Sequence, residues 1–148
     1  SDKRLNSWYL FPTGLRLPES VLAIEKEARL TPFDEPPRTI VVPSGTGTHL
    51  AGLVRAFSDT DTEFIATLGY ERKEDRFRSD LARASGIELP DTRLRIISTA
   101  DSYYEVTTGK MPPFPAHIHY ECRAWNWLTS PGIIESLAQP VLFWNIGA

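Results

Sequence analysis

The chain has 148 residues, 41% hydrophobic and 24% charged content and a net charge of −3, which is typical of one globular domain and excludes whole-chain disorder. No basic cluster accompanies the negative charge, which argues against a nucleic-acid partner. One cysteine cannot form an internal disulfide, and no apolar run is long enough to cross a bilayer, so we expect a cytoplasmic protein with no membrane partner.

Strand-like and helical patterns alternate along the chain. Five segments have strand-like composition: 7–12, 38–43, 63–70, 92–99 and 140–147. Four segments have helical spacing of apolar residues: 18–30, 50–57, 73–87 and 114–128. The residues predicted to face the core are Val21, Leu22, Ile24 and Ala28 in the first helix, Leu50, Leu53, Val54 and Phe57 in the second, and Phe77, Leu81 and Ala84 in the third. Because parallel strands need crossover connections, this alternation predicts a single α/β domain over residues 1–148, with a mostly parallel twisted sheet and helices on both faces in three αβα layers.

A Ser/Gly/Thr cluster, 44–48, runs directly from the second predicted strand into a helix. Gly45 and Gly47 let the backbone come close to a ligand, and backbone N–H groups at a helix start favour an anion, so the cluster predicts a phosphate cradle. The alternative is a plain connection in which Thr48 caps the helix. The cluster is not a Walker loop because no lysine follows the glycines, and their spacing does not fit a dinucleotide fingerprint.

The stretch "SGTGTHLAGL" (44–53) resembles the phosphate-binding loop of the fold-type-II pyridoxal-phosphate (PLP) enzymes related to tryptophan synthase β. It is most similar to the branch of aminocyclopropane-carboxylate deaminase and D-cysteine desulfhydrase. "YLFPTGL", "TTGK" and "VLFWNIGA" also resemble segments of that family, in the family's order. The resemblance implies PLP as the cofactor, a lyase or deaminase acting on a small amino acid, and Thr108 opposite the pyridine nitrogen. It assigns the cofactor phosphate to Ser44, Gly45, Thr46, Gly47 and Thr48.

Several residues depart from the family pattern. His49 or Leu50 is an insertion before Ala51, and Thr107 stands where the deaminases carry a tyrosine. The final turn, 145–148, lacks the family's polar pair.

The lysine that holds the cofactor in this family as a Schiff base has no counterpart here. The lysines are Lys3, Lys26, Lys73 and Lys110, and none follows an asparagine as the family motif requires. We therefore assign no catalytic residue. We expect a large-domain portion whose active site is completed by a segment outside this chain, in a homodimer or with a complementing chain that carries the N-terminal part. The alternative is a non-catalytic ligand-binding or interaction module that retains the fold.

The sequence "HIHYEC" places four possible metal ligands within six residues, 117–122. On a strand, His117, His119 and Glu121 would share one face, whereas no helix could aim all four ligands at one ion. The apolar spacing of Ile118, Cys122 and Trp125 favours a helix with a buried cysteine. We therefore assign no metal ligand, and a metal-dependent enzyme that uses this region stays a second alternative.

Aromatic residues outside these motifs are interpreted as packing residues. They are Trp125, Trp127, Trp144, Tyr103 and Tyr104. They are expected to lie in the core or in a dimer contact, since relatives in the resembled family are commonly dimers.

Overall fold

The computed structural model describes residues 18–45, 47–68, 73–99, 111–116 and 120–145. Within this part of the chain, four parallel strands form one sheet in the order β3-β2-β1-β4. The strands are β1 (Thr39–Ser44), β2 (Glu63–Leu68), β3 (Leu94–Ser98) and β4 (Val141–Phe143). The helices are α1 (Pro18–Leu30), α2 (Thr48–Ala56), α3 (Glu74–Ser85), α4 (Glu121–Leu128) and α5 (Ile133–Ser136), and a 3-10 turn covers Asp91–Arg93. The predicted α/β fold is confirmed. The predicted strand 7–12 lies outside the described residues.

Helices cover both faces of the sheet. Ile40 and Val42 of β1 point into a core shared with α1, α2 and α3, whereas Val41 points the other way, into a core that includes Leu128 of α4. Alternate residues of a strand face opposite sides, so the uninterrupted apolar run of β1 reflects burial on both faces.

The predicted helical faces are largely correct. In α2, Leu50, Leu53 and Val54 are fully buried. Two predicted core residues are wrong. Leu22 is 51% exposed, because the buried stripe of α1 runs through Val21, Ile24 and Ala28 and leaves Leu22 to one side. Ala84 is exposed, because the buried stripe of α3 runs through Phe77, Leu81 and Ser85.

The fourth predicted helix is shorter than its apolar spacing indicated. Residues 114–116 are not helical, and α4 begins only at Glu121. Pro115 explains part of the difference, since proline disfavours the helical conformation in the residue before it. Phe114 instead packs against Trp125 of α4 and Phe143 of β4, with ring centroids 5.3 and 5.6 Å away.

The tryptophans that the structure describes take part in packing within the chain. Trp125 makes an edge contact with Phe143 at 5.5 Å, and the Trp127 ring lies beneath the guanidinium of Arg95 at 5.9 Å. A dimer contact through these residues stays a prediction, and Tyr103 and Tyr104 lie outside the described residues. In the described part of the chain, no helix has the length and hydrophobicity to cross a membrane.

Candidate functional site

The Ser/Gly/Thr cluster lies at the carboxyl edge of the sheet. Residues 44, 45, 47 and 48 leave the end of β1 and enter α2, while Thr46 lies outside the described residues. The chain passes from β1 to β2 and β3 on one side, whereas β4 pairs with β1 on the other. Open α/β sheets bind ligands in a crevice beyond the carboxyl ends of the strands where the strand order reverses, so we expect such a crevice beyond β1 and β4.

Gly47 is the N-cap of α2, so the interpretation that Thr48 caps this helix is wrong. Gly47 has a φ of 89°, a left-handed conformation that favours glycine, and no side chain caps the helix. The first backbone bond of the helix joins the Ala51 N–H to the Gly47 carbonyl at 2.8 Å. The N–H groups of His49 and Leu50 precede that bond and point toward the cluster, where the helix dipole favours an anion.

Tyr120 lies against Gly45 at the carboxyl edge of the sheet. A Cβ placed on Gly45 would lie 3.4 Å from Cε1 and 3.7 Å from the hydroxyl oxygen of Tyr120. Tyr120 is the N-cap of α4, so the start of α4 and the start of α2 meet at the same edge of the sheet. A side chain at position 45 would fill part of this space.

Ser44 and Thr48, the two hydroxyl-bearing residues of the cluster that the structure describes, are buried. Ser44 is 3% exposed and donates its hydroxyl proton to the Val42 carbonyl at 3.1 Å. Thr48, in the first turn of α2, is 6% exposed. Because the Ser44 proton is used within its own strand, the donors best placed for an anion are the backbone N–H groups at the start of α2.

Two residues that the sequence did not single out as ligand contacts join α2 to β4. The Nε1–H of Trp144 donates to Nδ1 of His49 at 3.4 Å, and the backbone N–H of Trp144 donates to the Val41 carbonyl at 2.9 Å. Burial lowers the pKa of His49, and Glu27 opposes that shift. No local pattern could have shown this contact, since its partners are 95 residues apart.

The region proposed for a metal is only partly described. Cys122 is fully buried, its Sγ lies 3.9 Å from Sδ of Met111, and burial together with the Glu121 charge raises its pKa. The thiol is therefore kept protonated, which disfavours it as a ligand. His117 and His119 lie outside the described residues. Among those that are described, no three His, Cys, Asp or Glu residues are grouped to hold a metal ion.

The structure describes two of the chain's four lysines. Lys26 is exposed on α1, and Lys73 is exposed at the N-cap of α3. Thr108, Lys3 and Lys110 lie outside the described residues.

Comparison with known proteins gives one informative match. A curated protein of Pseudomonas phage M6, named glycyl-dTMP PLP-dependent decarboxylase, is 33% identical to this chain over 145 residues. The chain is a distant homologue of a PLP-dependent decarboxylase. The alignment covers 94% of this chain and 52% of the phage protein, so the chain spans about half the length of the curated relative that it matches. No family model matches the chain, and no solved structure matches it.

The predicted relationship to PLP-dependent enzymes is thus confirmed, while membership of the fold-type-II family and of its deaminase and desulfhydrase branch stays a prediction. The residues at the carboxyl edge fit the phosphate of PLP. Gly47 starts α2 without a side-chain cap, and a Cβ on Gly45 would occupy space beneath Tyr120. These two glycines and the first-turn N–H groups of α2 are the groups that would hold the phosphate.

Proposed function

We propose that this chain forms the part of a PLP-dependent decarboxylase that binds the cofactor phosphate. The observation that carries the proposal is the position of the cluster 44–48, at the start of α2 and at the switch point between β1 and β4. The homology to a decarboxylase supports PLP as the ligand of this cluster.

The reaction we propose is loss of CO₂ from an amino-acid group carried by a thymidine nucleotide. The name of the phage relative specifies glycyl-dTMP as its substrate. A decarboxylase is a lyase that breaks a carbon–carbon bond, so this proposal keeps the predicted lyase class and replaces deamination. Thr107 supports decarboxylation over deamination, because the resembled deaminases carry a tyrosine at this position.

The described residues contribute binding and orientation. Bound PLP supplies an electron sink for the pair of electrons that remains when the carboxylate leaves as CO₂. Gly47 and the N–H groups of His49 and Leu50 would hold the phosphate of the cofactor. By fixing that phosphate they would orient the cofactor, and this positioning is the catalytic contribution we assign to this chain.

We further propose that the lysine of the active site comes from a segment outside this chain. Lys26 and Lys73 are both exposed, on α1 and before α3. The matched relative is about twice as long as the aligned portion of this chain, which leaves room for such a segment. The segment belongs either to the same polypeptide or to a complementing chain.

The test is decarboxylation measured directly. The protein, alone and mixed with the complementing half of the phage relative, is incubated with PLP and a glycyl-bearing thymidylate. The readouts are CO₂ release and the matching loss of mass from the nucleotide.

We expect turnover that requires PLP and is lost in Gly47→Asp. Gly132→Asp is the matched control, since Gly132 is also a helix N-cap with positive φ but has open space around it. Release of ammonia without CO₂ would refute decarboxylation, and PLP binding without turnover in either mixture would favour the non-catalytic module.

A further inference from the structure

The contact between His49 and Trp144 fixes the chemical form of the histidine. An indole N–H can only donate, so Nδ1 of His49 must carry a lone pair where Trp144 approaches it at 3.4 Å. A neutral imidazole with an unprotonated Nδ1 carries its proton on Nε2. Burial of the ring favours this neutral form over the imidazolium.

The position of His49 places its side chain near the start of α2. His49 is the second residue of α2, and the Cα–Cβ bonds of a helix tilt toward its N-terminus, which here is the edge with the cluster 44–48. Trp144 directly follows β4, which pairs with β1, so its contact with His49 joins the first turn of α2 to the strand next to β1.

We propose that Nε2–H of His49 donates a hydrogen bond to the phosphate monoester bound by the cluster 44–48, and that Trp144 is the positioning residue that sets this tautomer. The inference depends on the proposed function, because it assigns a further contact to the same phosphate. It also gives a role to His49, which lies where this chain has one residue more than the resembled phosphate-binding loop. The contact supplies a neutral side-chain donor in a loop with no lysine after its glycines.

Two substitutions separate ligand binding from structural support. The side-chain amide of glutamine in His49→Gln can place its N–H near the position of Nε2. The shorter amide in His49→Asn lies near the position of Nδ1, where it can still accept from Trp144. A purely structural histidine is replaced better by asparagine, whereas a histidine that donates to the ligand is replaced better by glutamine.

The experiment is calorimetric titration of the wild-type protein and both variants with PLP, with pyridoxal, which lacks the phosphate, and with dTMP. We expect His49→Asn to weaken PLP binding about tenfold or more, as loss of a hydrogen bond to a charged group implies. His49→Gln is expected to stay within about threefold of the wild type, because its donor remains. Pyridoxal binding should be unchanged in both variants. If His49→Asn weakens the binding of dTMP and not of PLP, the phosphate at this site is that of the nucleotide substrate. That result would still support the hydrogen bond from Nε2–H of His49 to a phosphate.

Failure of this inference differs from failure of the proposed function. If the wild-type protein binds neither PLP nor dTMP, the proposed function and the role of His49 are both wrong. If the wild-type protein binds PLP, and His49→Asn binds it as well as His49→Gln or better, only the proposed role of His49 is wrong. Nitrogen-15 NMR of the wild-type histidine gives an independent decision: an Nε2–H tautomer at neutral pH is expected, and an Nδ1–H tautomer or an imidazolium would overturn the inference.

Discussion

Gly52 of α2 lies directly against Ile24 of α1. A Cβ added to Gly52 would lie 2.6 Å from both Cβ and Cγ2 of Ile24 and 2.9 Å from the carbonyl oxygen of Val21. Real side chains do not approach backbone so closely, so only glycine allows the two helices to pack at this distance. Because α2 begins at the cluster 44–48, the same contact sets where the proposed phosphate site lies.

The variant Gly52→Ala should therefore destabilise the protein. Alanine favours a helix over glycine by about 1 kcal/mol, but overpacking at Ile24 should outweigh that gain and lower the free energy of unfolding by about 1–3 kcal/mol. Chemical denaturation measures the change. Ala84→Gly, at an exposed position of α3, gives the propensity difference alone. A Gly52→Ala protein as stable as the wild type would show that the helices do not pack this closely.

Thr67 of β2 should tolerate loss of its hydroxyl. The residue is 3% exposed and its Oγ1 has no hydrogen-bond partner. A buried hydroxyl without a partner is costly, so Thr67→Val is expected to raise the free energy of unfolding by about 1 kcal/mol. Thr62 is the matched control: it is equally buried, but its hydroxyl donates to the Pro37 carbonyl at 2.7 Å, so Thr62→Val should destabilise. If Thr67→Val and Thr62→Val both raise or both lower the free energy of unfolding, the expected contrast between an unpaired and a paired hydroxyl is wrong.

Arg93 should stabilise the end of α2. Its guanidinium donates to the carbonyl oxygens of Phe57, Ser58 and Thr62 at 3.3, 3.4 and 3.0 Å. A cation near carbonyl groups at the end of a helix is favourable, so Arg93→Ala should cost about 1–3 kcal/mol of stability. Arg83→Ala removes an arginine whose side chain is 78% exposed and should change stability by less than about 0.5 kcal/mol. Equal effects of the two variants in thermal denaturation would count against a specific role for Arg93.

His49 should make stability fall in mild acid. Burial lowers its pKa in the folded protein below the ordinary value of 6.5, so the unfolded chain takes up the proton first as pH decreases. The contribution of neutral His49 to stability is fully present above pH 6.5. It is lost as pH falls from 6.5 toward the lowered pKa of the folded protein. Protonation also removes the acceptor for Trp144, while Glu27 on α1 opposes the shift.

Melting temperatures from about pH 8 to about pH 5 measure this effect. The difference in melting temperature between the wild type and His49→Gln should change across this range, because only the wild type titrates at position 49. A constant difference would show that the pKa of His49 is not lowered by folding.

The sequence predicted the features that depend on local periodicity. The apolar run 40–43 of β1 is buried on both faces of the sheet. The helical spacing of Leu50, Leu53 and Val54 identified a face that is fully buried. Alternation of strands and helices was enough to predict a parallel sheet and, from it, the edge where the cluster 44–48 lies.

The contacts that complete the site depend on tertiary structure. His49 meets Trp144 only because β4 pairs beside β1, and Tyr120 covers Gly45 only because α4 begins at the same edge. The start of α4 was placed too early, since helical apolar spacing outweighed the local restriction at Pro115. The alternative to the phosphate cradle made Thr48 the N-cap from side-chain preference, whereas the N-cap of α2 is Gly47, in a left-handed conformation.

The most direct test of the central claim is the affinity of PLP for the wild-type protein, Gly47→Asp and Gly132→Asp, measured by calorimetry with pyridoxal as the comparison ligand. A carboxylate at position 47 would stand at the start of α2 and repel a phosphate, so binding should weaken by about tenfold or more. We predict saturable PLP binding by the wild type and by Gly132→Asp, weak binding by Gly47→Asp, and no such difference with pyridoxal. Equal PLP affinity in all three proteins, or no PLP binding by the wild type, would contradict the assignment of the cofactor phosphate to the cluster 44–48.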